Sequence, residues 1–457
     1  VLTASVTTKE FEGDKHDTLT WCLWLLIFVG LGTRVIYAFI NSPLDRIYLD
    51  ALMEYNYAKA LPHANLFDTF LASGYPRWLK AELFATGENR AWIGLITAVM
   101  SAATPWIWYR WMREHFRLLH LSNDELLATI GFLILTWLPS WISIYSLFMP
   151  ECLLLPLVGT ALWLCSYTKR TDRTFGYVGA AALWAAAYMT KASMLLLAVI
   201  EGVWLLRNLF GTKYSARSLI IGLSCTAIFS SAYLSEVLRV RSVTRSVNMF
   251  AGNTVLNSLH YRSGGDELSG TIAVTGDDGT VRKEGFNLKC PSLLINAPPL
   301  APLSSWHTIR HGETVVAVDY TKPVGQQIPK LPLTLAQRLQ YTIENAAFLI
   351  FGPSWPDCVQ DDFIDVLQVQ TRWAWAPLLV LAAVLAIRQK RTDVLTVMCF
   401  VPWIFFIFQE VYITEGRFRK PLEGILIAEC IVLIASAIAV RRAKREASAV
   451  HETSSLK

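Results

Sequence analysis

Charge is scarce in this chain: Asp, Glu, Lys and Arg make up 17% of its 457 residues, against about 25% in an ordinary soluble domain. That shortage, with 53% hydrophobic side chains, argues against a soluble globule and excludes disorder, collagen and coiled coil. Metal and nucleotide motifs are missing too. The eight histidines are scattered, with no CxxC, HxxH or HExxH spacing, and the four-residue step from His307 to His311 stands in a loop or strand context. No Walker loop, GxGxxG or GxSxG is present, which removes support for soluble nucleotide chemistry. Internal repeats and long low-complexity tracts are absent. A formal charge of +5 gives no reason to expect nucleic acid as a partner.

What the chain does have is apolar runs that recur from Leu19 to Val440, rich in Trp and Phe. They predict an all-α polytopic membrane protein with about 10 transmembrane helices. The spans are expected at 19–40, 92–109, 126–147, 152–167, 175–188, 193–206, 218–238, 373–387, 394–411 and 422–440. The first run lacks a small-x-small cleavage site and reads as an anchor, not a signal peptide. Alternate connections are basic: Arg110, Arg113 and Arg117; Lys169, Arg170 and Arg173; Arg207, Lys213 and Arg217; Arg388, Lys390 and Arg391; and Arg441, Arg442, Lys444 and Arg445. The positive-inside rule puts these segments and both termini in the cytoplasm.

The predicted organisation is a cytoplasmic tail (1–18), a transmembrane catalytic module (19–238) with a first external loop (41–91), an extracytoplasmic region (239–372), C-terminal transmembrane helices (373–440) and a cytoplasmic tail (441–457). Turn chemistry at Ser263-Gly264-Gly265-Asp266 and Gly276-Asp277-Asp278-Gly279, with β-rich runs at 271–275 and 314–320, predicts a small mixed α/β domain in the external region. The Pro-rich run 291–302 reads as extended. Cys290 and Cys358 are the two cysteines of that region, and an oxidising compartment would allow a disulfide between them.

Charges at the outer helix ends are the candidates for chemistry, because a charge near the membrane is costly. Asp45, Asp50 and Glu54 follow the first span. On a helix Asp50 and Glu54 share a face at i and i+4, an arrangement that tunes a general base or simply keeps an interfacial helix solvated. Glu151 heads a span in Met149-Pro150-Glu151, as a helix cap or as a second charge in a cleft. Lys191 stands alone at the outer end of a hairpin of short apolar runs, either snorkelling or contacting a phosphate. The turn Glu415-Gly416-Arg417-Phe418-Arg419-Lys420-Pro421-Leu422-Glu423 sets three cations on the non-cytoplasmic side, suited to lipid headgroups or to a specific anion.

Five stretches in order resemble the C-type (GT-C) glycosyltransferases, membrane enzymes using polyprenyl-phosphate-linked sugars, and especially the branch of protein O-mannosyltransferases and the aminoarabinose transferase of lipid A. They are Asp50-Ala51-Leu52-Met53-Glu54-Tyr55-Asn56-Tyr57-Ala58-Lys59-Ala60-Leu61; Ser73-Gly74-Tyr75-Pro76 with Leu83-Phe84 and Gly87-Glu88-Asn89; Met149-Pro150-Glu151; Met189-Thr190-Lys191; and Gly416-Arg417-Phe418-Arg419-Lys420-Pro421-Leu422-Glu423. The resemblance implies an inverting transfer of sugar from a polyprenyl-phosphate donor to a hydroxyl of a glycan, lipid or protein on the extracytoplasmic face of the membrane. The short cytoplasmic loops favour a bacterial inner membrane with a periplasmic site over the endoplasmic reticulum, which would share the topology. Asp50 would be the base, with Asp45 as the alternative, because the family's Asp-Glu or Asp-Asp pair reads Asp50-Ala51 here. Likewise Lys191-Ala192 stands where Arg-Pro is common. Arg417, Arg419, Lys191 and Lys420 would hold the donor phosphate. Glu151 with Glu54 would orient the acceptor or hold a divalent cation, and Tyr75, Arg77, Lys80 and Glu423 would line the substrate site. Competing expectations are a polysaccharide polymerase or ligase acting through Arg310, His307 and His311, and a lipid-linked sugar flippase.

Overall fold

In hydrocarbon every backbone N–H and C=O must be bonded inside its own segment, so apolar runs of this length become helices. The computed structural model describes residues 4–47, 49–61, 71–211, 215–244, 268–275, 281–288, 312–319, 335–352, 362–409 and 416–455. Its helices are α1 (Ala4–Ile40), α2 (Leu49–Ala60), α3 (Gly74–Thr86), α4 (Arg90–Leu118), α5 (Asp124–Trp137), α6 (Pro139–Ser143), α7 (Pro150–Thr171), α8 (Thr174–Thr190), α9 (Leu195–Phe210), α10 (Ala216–Thr244), α11 (Leu335–Phe351), α12 (Phe363–Gln370), α13 (Trp375–Gln389), α14 (Val394–Phe408) and α15 (Lys420–Ser455).

Among the described residues seven helical stretches are long and apolar enough to cross a membrane: Trp21–Ile40, Arg90–Leu118, Pro150–Thr171, Ala192–Phe210, Ala216–Ser242, Phe363–Gln389 and Gly416–Arg445. The protein is therefore a helical membrane protein, with fewer clear crossings than the ten expected. The span expected at 126–147 is broken: α5 and the stretch Pro139–Ser146 meet at 62° and make an eighth crossing only if taken together. The runs expected at 175–188 and 394–411 are α8, of 17 residues, and α14, of 15. At 1.5 Å per residue both fall short of the ~30 Å hydrocarbon core.

The break has a local cause and a distant repair. Leu138, ahead of Pro139, is extended (φ −69°, ψ 108°), as a residue before proline prefers, and this releases helix carbonyls inside the bundle. Arg34, fully buried in α1, donates to Ser101 O (2.7 Å), Leu135 O (3.1 Å), Thr136 O (3.1 Å) and Trp141 O (2.6 Å). A guanidinium thus supplies the donors that the broken helix lacks.

The core runs along α4, α7 and α15. Trp108 of α4 is fully buried, and its indole N–H donates to Leu155 O at 2.9 Å. Gly159 makes this approach possible, since a Cβ there would come within 2.7 Å of the Trp108 ring.

Contacts sort the helix ends into two sets. At one end lie the first loop, the start of α7, the end of α8, the end of α10, the start of α12 and the start of α15. Arg46 of the loop, for example, bonds Asp362 (3.3 Å) and Asp365 (3.0 Å) at α12. At the other end the basic connections meet acidic partners: Arg117 with Asp124 (2.8 Å), Arg170 with Glu114 (2.8 Å) and Lys169 with Glu201 (3.7 Å).

Within the stretch 239–372 three strands pair, β1 (Leu268–Thr275), β2 (Val281–Leu288) and β3 (Gly312–Asp319). Their order is β2-β1-β3, with β1 antiparallel to β2 and parallel to β3. The β-rich run at 271–275 falls on β1, and 314–319 of the run 314–320 falls on β3, residue 320 lying outside the described residues. Cys290, Cys358, the run 291–302, His307, Arg310 and His311 lie outside the described residues. α11 and α12, placed by sequence in the external region, pack on the helical bundle: Asn345 of α11 donates to Ile407 O (3.2 Å) and Gln409 O (3.1 Å) beside α14.

Candidate active site

Met149 is extended and Pro150 takes the first helical position of α7, so Glu151 falls in the first turn, where free N–H groups favour a carboxylate. Glu151 is fully buried. Its Oε1 accepts a hydrogen bond from the Lys191 ammonium, which follows α8 in extended conformation (φ −153°, ψ 113°) and lies 4.5 Å from the Phe418 ring centroid. Arg417 lies within electrostatic reach of the same carboxylate. Three separate parts of the chain therefore meet at Glu151, and two of them bring cations.

The first loop closes the other side. Asp50 occupies the first turn of α2, one turn before Glu54 and on its face; the Asp50 side chain lies outside the description. Glu54 is 2% exposed. Tyr55 stacks on Phe148 with ring centroids 5.8 Å apart, which docks α2 against the turn that leads into Glu151. On α3 the buried Tyr75 phenol is pushed well above its ordinary value, by burial first and then by Cys152, Glu82, Glu54 and Glu151. Tyr75 is therefore a neutral hydroxyl ringed by carboxylates. Glu82, 8% exposed, is pushed up to about 7 by burial, against a lowering hydrogen bond from Trp78.

Gly74 lets α3 approach this closely. A Cβ there would meet Met189 C and O at 2.7 Å and Thr190 N at 2.9 Å, all backbone. The preceding Ser73 hydroxyl donates to Glu236 of α10. Arg239 bonds the same carboxylate (2.9 Å), Leu71 O (2.7 Å) and the Tyr57 hydroxyl (3.3 Å). A second network anchors the start of the loop: besides its two aspartates, Arg46 donates to Ser146 Oγ at 3.0 Å, and the Tyr37 hydroxyl donates to Asp365 Oδ1 at 3.1 Å.

Several expected site residues have other tasks. Arg419 is fully buried and donates to Glu423 Oε1 (3.0 Å), Leu349 O (2.9 Å) and Gly352 O (2.5 Å). Glu423, also fully buried, accepts from Ser140 Oγ (3.2 Å) and Trp141 Nε1 (2.9 Å) as well. Lys420, 1% exposed, donates to Ser140 O. These three are committed to the protein's own groups, and they tie α15 to the broken helix at α6. Asp45 is half exposed and pairs with Arg90 at 2.8 Å, a surface link between the turn after α1 and the start of α4, and it is not among the carboxylates that act on Tyr75. Arg77 and Lys80 are exposed on the outer face of α3, where Lys80 donates to Leu61 O at 2.5 Å.

Among the described residues no group of three or more His, Cys, Asp or Glu is arranged to hold a metal ion. Sequence reading missed Glu82, Glu236, Arg239 and the Arg46 network. For Glu82 a signal was present: it shares the spacing of Tyr75, Leu79 and Leu83, a carboxylate on the apolar face of a helix. The chain matches no protein-family model and no curated protein.

Proposed function

We propose that this protein is an inverting glycosyltransferase that moves a sugar from a polyprenyl-phosphate donor to an acceptor hydroxyl at the extracytoplasmic face of a bacterial inner membrane. The observation that carries the reading is the polarity of the site. Lys191 and Arg417 act on the buried Glu151, and Glu151 together with the first-loop carboxylates Glu54 and Glu82 acts on the Tyr75 phenol. Cations held in place by the protein suit a departing phosphate, and a first-loop carboxylate suits a general base.

In this reading Asp50 takes the proton of the acceptor hydroxyl, whose oxygen attacks the anomeric carbon. The bond from that carbon to the phosphate oxygen breaks, its electron pair stays on the phosphate, and the configuration inverts. Lys191 and Arg417 stabilise the charge that develops there. Glu54 and Glu151 orient the acceptor and the lysine. Both termini and the basic connections face the cytoplasm, and the region carrying β1 to β3 forms an external domain that shapes acceptor recognition.

The test is transfer by the full-length protein in lipid, with a polyprenyl-phosphate sugar. Asp50→Asn abolishes transfer while the variant still binds polyprenyl phosphate, and Arg417→Ala weakens that binding without lowering thermal stability. Near-normal turnover by Asp50→Asn would overturn the assignment.

A further inference from the structure

α3 carries one carboxyl group that the mechanism above leaves unused. Tyr75, Leu79, Glu82 and Leu83 are all buried, at spacings that set them on one face of the helix. Glu82 thus points where an apolar residue belongs. Its Oε1 is sealed from solvent and has no hydrogen-bond partner among the described residues. Trp78, one turn earlier, is its hydrogen-bonding neighbour. Among the described residues, Glu82 acts electrostatically on the Tyr75 phenol of α3 and the Cys152 thiol of α7, and no described ion pair involves it.

A carboxylate enclosed without a cation is costly, so such a group keeps its proton. A protonated carboxyl then offers one O–H donor and spare acceptor capacity, the same pair of capacities that a sugar hydroxyl presents. A buried oxygen left unpartnered is a cost that a bound ligand removes. Position selects the ligand: Glu82 lies two turns along α3 from Tyr75 and acts on its phenol together with Glu54, and none of its described interactions is with Lys191 or Arg417 on the phosphate side.

We propose that Glu82 is an acceptor-binding residue, a neutral carboxyl that exchanges hydrogen bonds with an acceptor hydroxyl through Oε1; this rests on the transferase reading. Its raised proton affinity, near pH 7, gives the binding a pH limit. Above that value the carboxyl loses its donor and becomes a further negative charge acting on Tyr75, as Glu54 and Glu151 do, and on the Cys152 thiol.

The experiment measures the acceptor KM and the affinity for polyprenyl phosphate separately, on full-length protein reconstituted in lipid, across pH 6 to 9. Glu82→Ala raises the acceptor KM about ten-fold, the scale of a lost hydrogen bond or two, and leaves polyprenyl-phosphate affinity unchanged. Glu82→Gln keeps a donor and an acceptor, so it stays close to the wild-type KM at low pH and loses the rise in KM that the wild type shows above neutrality. Infrared titration supplies a readout free of kinetics: a protonated-carboxyl band that disappears near neutral pH in the wild type is missing from Glu82→Gln. The proposal falls if Glu82→Ala leaves the acceptor KM unchanged, if it weakens polyprenyl-phosphate binding equally, or if the band persists in Glu82→Gln. A wild-type protein that transfers no sugar overturns the transferase reading and this proposal together, whereas transfer that is indifferent to Glu82 overturns this proposal alone.

Discussion

Glu151 and Lys191, forty residues apart in sequence, form an ion pair at the head of α7 with side chains only 1% and 14% exposed. The pair joins two helices whose partnership no local pattern announces. A carboxylate buried at a helix N-terminus has dipole support, but the opposite charge makes its burial affordable.

Removing the lysine tests that dependence. Lys191→Met is expected to destabilise the protein by about 3 kcal/mol or more, the scale for breaking one half of a buried pair. Lys191→Met with Glu151→Gln should recover part of the loss. Thermal unfolding in detergent, with the two single variants and the double variant compared, measures the coupling directly.

Arg34 is predicted to matter for folding and not for chemistry. Arg34→Leu deletes donors to three carbonyls at the α5–α6 break, those of Leu135, Thr136 and Trp141, and to Ser101 O of α4, and leaves those carbonyls in a dry environment. At roughly 1–3 kcal/mol for each group left unsatisfied, the variant should accumulate poorly and unfold at a much lower temperature. Arg34→Lys recovers only part of the loss, because an ammonium cannot span the same spread of acceptors.

Gly74→Ala should separate α3 from the turn that presents Lys191. The added Cβ meets backbone atoms of Met189 and Thr190, which cannot rotate away, so the helix must shift at a cost of about 1–3 kcal/mol. The expected outcome is a modest loss of stability with a larger loss of transfer, read by comparing Tm with kcat/KM.

The pH dependence of stability follows from Glu82. Its folded-state value, about 7, lies above the ordinary 4.5, so the folded protein binds the proton more tightly than the unfolded chain. The associated stability is fully present below about pH 4.5 and is lost as the pH rises through about 7. Glu82→Gln should flatten that part of the profile and raise Tm relative to the wild type at pH 8, which thermal unfolding from pH 4 to 8 checks.

Much of the membrane part was legible in the linear chain. Apolar runs become helices wherever they occur, because hydrocarbon leaves the backbone no other way to bond itself. The exceptions are instructive. α8 and α14 have the apolar character of spans without the length, and Pro139 divides what composition alone joins. Glu151, Lys191 and Arg417 stood out as isolated charges at helix ends, and they come together in space. Arg419, Lys420 and Glu423 stood out for the same reason, and yet Arg419 bonds Glu423 and backbone carbonyls, Lys420 bonds the Ser140 carbonyl, and Glu423 also accepts from Ser140 and Trp141.

The sequence by itself determined that the chain is a helical membrane protein and which few residues carry charge where charge is costly, since hydrophobicity and burial cost belong to each segment alone. Only the tertiary structure decided which of those charges gather at Glu151 and which bond backbone carbonyls elsewhere in the bundle. That choice turns on the partner each group meets across the bundle, as Arg34 meets the carbonyls of a helix one hundred residues away, and partnership is a property of packing.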